Sequence, residues 1–272
     1  MQQIYRSMAR TFSLAASSAL LAISPAFAAP AQTIGLSGVM PDLGSVQVNS
    51  AHVYDYTFAS PPTDWWVQSG NWDMTNRWSC SPGWSWFGGR SEEVAAIWNK
   101  RHFSGDTSVQ TYFAYKMGVT GTGRWPEYPT NAGLTILGNG KDVGTGYTLI
   151  VGADNNTRSV LMRNGEIVAQ TTKADALLPS VTDGMPSSNE LHRHWWYLRM
   201  NKVGSKVDCY FENKLILSYT DPDPIQSGQT AIWTYDNGIL LSRVQIYFAR
   251  EESPTKRIAN KSDSNLLALA SR

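Results

Sequence analysis

The sequence predicts an all-β protein, folded as a two-sheet antiparallel jelly-roll sandwich. Short runs of β-branched and aromatic residues recur along the chain with turn residues between them. Apolar patterns with the helical period are scarce, and Asn164-Gly165 is a strong signal for a tight hairpin. We expect a single domain over residues 29–250, in which residues 29–50 need not be regular, because sandwiches of this length often form one domain.

The strand predictions follow from alternation and from turn residues. In 109–117, for example, Val109, Thr111 and Phe113 alternate with polar or smaller neighbours, as in a half-buried strand. The predicted strands are 53–59, 94–100, 109–117, 133–137, 147–151, 159–162, 167–171, 195–201, 206–212, 215–219, 230–234 and 242–248. Segments 121–130 and 173–194 are expected to be long loops, and 251–272 a polar, flexible tail.

The N-terminal 28 residues have the pattern of a secretory signal peptide. Arg6 and Arg10 precede a short apolar stretch over 11–23, and Ala26-Phe27-Ala28 supplies the small-x-small cleavage site. We therefore expect cleavage near Ala28 and a secreted or periplasmic protein.

The charge and apolar composition exclude several classes of function. The net charge of +1 offers no basic surface for nucleic acid, and no apolar run is long enough to span a membrane. Aromatic residues make up 11% of the chain, which is too many for a disordered protein. An exported globular enzyme or binding protein remains.

Two cysteines and a few acidic residues limit which disulfide and metal sites the sequence can form. Cys80 and Cys209 either form a disulfide in an oxidising compartment or stay as two free buried thiols, and two cysteines exclude a Cys-rich zinc site. No cofactor or metal site is predicted firmly. Calcium is the one candidate, through oxygen ligands from Asp142, Asp154 and Asn155-Asn156, although their spacing does not match an EF-hand loop.

Tryptophan is the most informative residue type in this chain. Seven of the 11 Trp lie between Trp65 and Trp98, in segments rich in Gly, Ser and Pro that we expect to be loops. Indole rings present a flat apolar face with a polar N–H, which suits the C–H face of a sugar ring. The predicted partner is therefore an oligo- or polysaccharide in an aromatic-lined groove, and the candidate binding residues are Trp65, Trp66, Trp84, Trp86, Trp98 and Trp233.

Several motifs resemble one group of exported bacterial proteins. They are Ile97-Trp98-Asn99-Lys100, Phe103-x-Gly105-Asp106, Gly146-Tyr147-Thr148, Asn155-Asn156-Thr157-Arg158, Arg163-Asn164-Gly165-Glu166 and the run from Ala231 to Ile239. Over about residues 50 to 249 the chain resembles the concanavalin A-like lectin/glucanase superfamily, nearest to its 3-keto-disaccharide hydrolase domain group. The resemblance implies a two-sheet jelly roll. It leaves the activity open, since the superfamily includes glycosidases, polysaccharide lyases and lectin modules. The E-x-D-x-x-E strand of laminarinase-type glycosidases is absent here.

Cleavage of a glycosidic bond is the leading functional hypothesis. A lyase needs a cation beside the uronate and a base for its C5 proton, and Lys100, His102, Tyr112, Tyr147 and Arg163 are the candidates. A hydrolase needs two carboxyl groups facing one cleft, and Asp106, Glu127 and Asp236 are the candidates. Each of these residues also has an ordinary role in packing, turns or surface ion pairs. The alternatives are a non-catalytic, lectin-like module and a structural protein of the cell envelope.

Overall fold

The computed structural model describes residues 52–58, 62–75, 86–91, 93–115, 131–179 and 194–252. The chain divides into two compact units, 1–35 and 36–272, and all of the described residues belong to the second unit. The predicted signal peptide, the residues Cys80, Trp84 and Glu127, and the tail after Glu252 lie outside the described residues.

The described chain consists almost entirely of β-strands. A one-turn segment, Ala153–Asn156, and a short 3-10 turn, Ala174–Ala176, are the helical elements among the described residues. The strands are β1 (His52–Tyr56), β2 (Trp65–Ser69), β3 (Asn71–Thr75), β4 (Trp86–Arg90), β5 (Val94–Asn99), β6 (His102–Tyr115), β7 (Ala132–Gly138), β8 (Tyr147–Gly152), β9 (Arg158–Arg163), β10 (Glu166–Thr171), β11 (Trp196–Val203), β12 (Lys206–Phe211), β13 (Lys214–Thr220), β14 (Ser227–Tyr235) and β15 (Gly238–Glu252).

These strands form two antiparallel sheets. In sheet A the order is β15-β6-β11-β12-β13. On its other edge β15 pairs with β4 through its first residues and with β1 through its middle residues, and β3 pairs with β4. In sheet B the order is β2-β5-β14-β7-β8-β9-β10. The first residues of β14 pair with β6 and so join the two sheets. This arrangement confirms the predicted all-β, two-sheet jelly-roll sandwich.

The main core lies between the two sheets. Phe113 and Leu198 come from sheet A, Leu134 and Leu149 come from sheet B, and all four are buried in one cluster. Side chains alternate between the faces of a strand, so the residues between these positions point outward. The outward face of each sheet therefore carries the side chains that do not belong to this core.

The Trp-rich entry differs from its prediction, because parts of it are strands. β2 and β3 are joined at Gly70, whose φ of 79° allows the abrupt turn between the two sheets. β4 carries two consecutive glycines that read as a loop in the sequence. Gly89 is required because the Trp72 ring occupies the space of a side chain there, 2.4 Å from a Cβ at that position.

The other strand predictions hold, although their ends differ: β1 and β5 end earlier than predicted, whereas several other strands are longer. The Asn164-Gly165 hairpin forms between β9 and β10, and both turn residues have positive φ. β6 and β15 are longer than predicted because they pair with each other along most of their length, with bulges at two points. None of the helical segments in the described ranges is long and apolar enough to cross a membrane.

Candidate functional site

The outward face of sheet A carries polar and aromatic side chains across six neighbouring strands. The strand register places one row of them side by side from β1 to β12: Asp55, Gln245, Gln110, Arg199 and Tyr210. Two further rows flank it. We call the following residues the polar face: Asp55, Ser108, Gln110, Tyr112, Tyr197, Arg199, Asn201, Asp208, Tyr210, Ser218, Arg243, Gln245 and Tyr247.

A hydrogen-bond network orders one half of the polar face. Arg243 Nε donates to Asp55 Oδ1 at 2.9 Å, and Gln245 Nε2 donates to Asp55 Oδ2 at 3.0 Å. Gln110 Nε2 donates to Gln245 Oε1, and the Tyr197 hydroxyl donates to Gln110 Oε1 at 2.9 Å. Each amide is thus held in one orientation before any ligand arrives, which reduces the entropy that binding would cost.

The other half of the polar face is held by side-chain pairs. The Ser108 hydroxyl donates to Asn201 Oδ1 at 2.5 Å, and the Ser218 hydroxyl donates to Asp208 Oδ1 at 2.6 Å. The Arg199 guanidinium lies over the Tyr210 ring, with its Cζ atom 4.1 Å from the ring centroid. This stacking fixes a planar donor group and an aromatic ring next to each other.

Exposure decreases from the flanks of the polar face to its centre. Ser108, Gln110 and Tyr197 in the centre are buried, whereas Arg199 and Tyr210 on the flank are partly exposed. The accessible groups are therefore those on the flanks, and the buried centre holds them in place.

Two tyrosines of the polar face, Tyr197 and Tyr247, keep their protons at neutral pH. Burial raises the pKa of Tyr197 and of Tyr247 above the usual value of 10.0. The hydrogen bond to Asp55 raises the pKa of Arg243 further, so this side chain stays charged. These two phenols accordingly act as neutral hydrogen-bonding groups at that pH.

The two carboxylates of the polar face are too far apart to act as a glycosidase pair. Asp55 on β1 and Asp208 on β12 are separated by four strand spacings, which amounts to ~19 Å. Glycosidases place their two carboxyl groups roughly 5 to 10 Å apart. Asp55 is also bonded to Arg243, and Asp208 is bonded to Lys206.

The predicted catalytic residues around β5 are divided between its two ends, with Lys100 and His102 at one end and Asp236 at the other. Lys100 lies in the turn after β5, where its Nζ donates to the Thr63 carbonyl at 2.7 Å, and His102 begins β6. Asp236 is exposed in the β14–β15 turn, with a φ of 48°, and its backbone N donates to the Glu93 carbonyl just before β5. A strand of six residues, ~20 Å long, separates the two ends.

Tyr147 and Arg163 do come together, but around a buried carboxylate. The Tyr147 hydroxyl donates to Asp221 Oδ2 at 2.6 Å, and Arg163 Nε donates to the same oxygen at 2.5 Å. Tyr147 is fully buried, and burial raises its pKa above the usual value of 10.0. In this arrangement Tyr147 ties the segment after β13 to sheet B, and the role of removing a substrate proton stays a prediction.

Of the other predicted catalytic residues, two are accounted for by the fold. Asp106 Oδ1 accepts a hydrogen bond from the Gly204 backbone N at 2.8 Å, which fixes the β11–β12 turn. Tyr112 belongs to the polar face, where its ring lies 5.2 Å from the Tyr197 ring. Glu127 lies outside the described residues.

Three of the tryptophans predicted to line a sugar-binding groove are instead buried in the packing of the sandwich. Trp65 points into the main core beside Tyr56. Trp98 and Trp233 are fully buried in a second cluster on the outward side of sheet B. A buried ring has no face for a sugar, so these three predictions need correction. Trp66 is 36% exposed on β2, the backbone of Trp86 opens β4, and Trp84 lies outside the described residues.

Of the two states left open for the cysteines, Cys209 has that of a free buried thiol, and Cys80 lies outside the described residues. Cys209 is a free thiol, and its side chain points into the core between the sheets. Burial raises the pKa of this thiol above its usual value of 9.0.

The calcium candidates are engaged in other contacts. Asp154 forms an ion pair with Arg158 at 2.5 Å, and the Asn156 amide exchanges two hydrogen bonds with the Leu178 backbone. Asp142 Oδ1 accepts from the Gly144 backbone N at 2.9 Å. Within the ranges that the structure describes, no three His, Cys, Asp or Glu residues cluster as a metal site would require.

Sequence reasoning missed most of the polar face. Asp55, Gln110, Arg199, Tyr210 and Gln245 were not candidates, although each lies in a predicted strand. The available signal was alternation: Tyr210 and Asp208 alternate with Val207 and Cys209, and Gln110 alternates with Val109 and Thr111.

Comparison with known proteins identifies the fold. No protein-family model matches the chain, and no curated protein matches it. A solved protein of unknown function with a galectin-like fold, from Bacillus subtilis, is similar at 13% identity over 75% of this chain and 100% of its own, with a TM-score of 0.51. Carbohydrate-binding module CBM66 from Bacillus subtilis is 18% identical over 68% of this chain and 96% of its own, with a TM-score of 0.47.

A further similar structure is the exoplasmic/lumenal domain of VIP36 in its Ca2+/Man-bound form, at 11% identity over 80% of this chain and 100% of its own, with a TM-score of 0.49. The galectin-like match agrees with the two-sheet sandwich fold that the resemblance implies. At these identities the likeness concerns the fold alone, and the narrower hydrolase group stays a prediction.

Proposed function

We propose that this protein is an exported, non-catalytic carbohydrate-binding protein that holds an oligo- or polysaccharide against the polar face of sheet A. The row from Asp55 to Tyr210, continuous across five strands, is the observation that carries the proposal. Export to the periplasm or the medium is part of the proposal and rests on the pattern of residues 1–28.

The chemistry of the polar face suits sugars. Sugar rings combine hydroxyl pairs with apolar C–H faces, and planar amide and guanidinium groups can bond two adjacent hydroxyls at once. Arg199 supplies such a group directly over the ring of Tyr210, whose own surface suits a C–H face. Binding sites of this kind combine apolar walls with a few fixed polar groups.

The same geometry supports binding over cleavage. Hydrolysis is disfavoured by the separation of Asp55 from Asp208, and a lyase reaction is disfavoured by phenols whose pKa values are raised. The candidates Lys100 and Asp236 lie in turns, and Asp106 lies on β6, where it accepts a hydrogen bond from the Gly204 backbone N of the β11–β12 turn.

A panel of neutral glucans and uronate polysaccharides tests the proposal by affinity electrophoresis of the full mature protein. Arg199→Ala and Tyr210→Ala should each weaken binding about ten-fold or more, because each removes a fixed group from the flank of the polar face. Arg250→Ala is the matched control, since Arg250 is an exposed β15 arginine outside the polar face, and its affinity should equal that of the wild type. Unchanged binding in both polar-face variants would refute the proposed site.

Cleavage is followed in the same samples, through new reducing ends and through the absorbance of unsaturated uronates. The proposal expects neither product. A product that forms with the wild type and is lost in Lys100→Ala or Asp236→Asn would replace the proposal with an enzymatic function. Repeating the panel with calcium and with a chelator shows whether binding depends on that ion.

A further inference from the structure

Trp66 lies on the opposite side of the sandwich from the polar face. It follows Trp65, which points into the main core, so alternation along β2 directs Trp66 outward from sheet B. The register places it beside Trp98, which belongs to the buried outward cluster of that sheet. Trp66 remains 36% exposed, whereas its neighbour Trp98 is fully buried.

A fixed polar rim accompanies Trp66. Trp98 Nε1 donates to Gln68 Oε1 at 2.6 Å, and Gln68 Nε2 donates to the Lys141 carbonyl. Gln68 therefore attaches the loop after β7 to β2. That loop is itself ordered, because Asn139 Oδ1 accepts from the backbone N of Lys141 at 2.8 Å and of Asp142 at 2.9 Å.

The groups that stay accessible are an aromatic face and hydrogen-bond donors. The side chains of Gln68 and Lys141 are both exposed. An amide nitrogen has two N–H groups, so Gln68 keeps one after bonding the Lys141 carbonyl, and the Lys141 ammonium has three. An exposed indole beside exposed hydrogen-bond donors on an ordered surface fits one pyranose ring, with its C–H face on Trp66 and its hydroxyl or carboxylate oxygens toward the donors.

We infer that Trp66, Gln68 and Lys141 form a second glycan contact, and that the protein therefore bridges two polysaccharide chains. The inference rests on the proposed function of the polar face. The two sheets pack ~10 Å apart and the contacts lie on their outer sides, so the contacts point away from each other. A short oligosaccharide cannot reach both, whereas long chains bound at both contacts become cross-linked.

Calorimetric titration with two short probes, a β-glucan hexasaccharide and a galacturonate hexasaccharide, counts the contacts. The wild type should bind two oligosaccharides of the recognised class, while Trp66→Ala and Arg199→Ala should each bind one. Trp66→Phe should keep the second contact with about ten-fold weaker affinity, because the smaller ring still stacks. Val67→Ala is the matched control, since Val67 is an exposed apolar residue of the same strand, 43% exposed, and it should bind two.

Turbidity of the corresponding polysaccharide, β-glucan or polygalacturonate, measures bridging. The wild type and Val67→Ala should make the solution turbid, while Trp66→Ala and Arg199→Ala should not.

One binding event in the wild type that is kept in Trp66→Ala and lost in Arg199→Ala would overturn the second contact and leave the proposed function standing. One event that is lost in Trp66→Ala and kept in Arg199→Ala would overturn the proposed polar-face site instead. Two events in Trp66→Ala would overturn the inference, and no binding of either probe by the wild type would overturn both proposals.

Discussion

Arg163 and Asp221 form an ion pair in which the carboxylate is almost completely buried. Arg163 Nε lies 2.5 Å from Asp221 Oδ2, and the Asp221 side chain is 1% exposed. The remaining oxygen of Asp221 accepts from the Asp223 backbone N at 2.9 Å. The segment after β13 is thus tied to β8 and β9 of the other sheet through one acid.

Asp221→Asn should destabilise the protein without changing the polar face. Removing one partner of a buried pair leaves the other charge poorly compensated, which costs about 3 kcal/mol. Urea unfolding followed by tryptophan fluorescence measures the change. Asp223→Asn is the control, because Asp223 is 99% exposed and lies 3.8 Å from Arg163, and it should change the free energy of unfolding by less than about 0.5 kcal/mol.

Stability should fall steeply in acid. Burial alone would raise the pKa values of Asp64, Asp221 and Glu251, but hydrogen bonds from arginine and tyrosine outweigh it and lower all three. A folded pKa below the unfolded value means that the stabilisation is complete above 3.8 for the aspartates and above 4.5 for Glu251, and that it is lost as the pH falls through the folded pKa values. The melting temperature should therefore be flat above about pH 5 and drop below about pH 4.

Arg101 accounts for much of this dependence, because it bonds both Asp64 and Glu251. Arg101→Gln should make the acid limb of the stability curve shallower. Arg250→Gln, on an exposed residue of the same strand as Glu251, should keep the slope of the wild type. Equal slopes for both variants would show that the Arg101 contacts do not hold these carboxylates ionised.

The fold was predictable from local signals, because most strands have a recognisable pattern in their own residues. β-branched runs, the Asn164-Gly165 turn and the alternation around Phe113 suffice to place most strands and to imply two sheets. The failures were in the entry, where Gly88 and Gly89 look like a loop. The small size of Gly89 is required by the Trp72 ring, a contact with another strand that no local pattern reveals.

The polar face was not predictable for a similar reason. Asp55 and Gln245 are separated by 190 residues but are partners in the β1–β15 register. Alternation assigns each side chain to a face of its strand, yet it does not tell which strands are neighbours. The sugar-binding role predicted for Trp98 and Trp233 was wrong for a different reason. Composition alone cannot distinguish an indole ring that binds a sugar from one that fills a core, as these two rings do.

Trp233 should affect stability and not carbohydrate binding. Its ring lies over Gly133 of the neighbouring strand, 2.1 Å from a Cβ at that position, and its Nε1 donates to Thr135 Oγ1 at 3.1 Å. Gly133→Ala should therefore destabilise by about 2 to 3 kcal/mol through overpacking. The control is Gly204→Ala, where nothing lies within 4 Å and the cost is about 1 kcal/mol from its φ of 57°.

A double-mutant cycle identifies the cause. If the Trp233 ring is the obstacle, Gly133→Ala combined with Trp233→Leu should cost less than the sum of the two single changes by at least about 1 kcal/mol. Additive losses would place the strain elsewhere. Affinity for glycan, measured on the folded fraction, should be that of the wild type in all of these variants.

Carbohydrate affinity should be independent of pH between about pH 6 and pH 9. Tyr197 and Tyr247 have raised pKa values because of burial, and the bond to Asp55 raises the pKa of Arg243, so none of these groups changes charge in that range. Affinity electrophoresis on the recognised polysaccharide at stepped pH measures this. Tyr247→Phe removes one hydroxyl and should lower the affinity equally at every pH. A gain in binding or product formation with an alkaline midpoint, absent in Tyr247→Phe, would instead assign this tyrosine the role of a base and contradict a site that only binds.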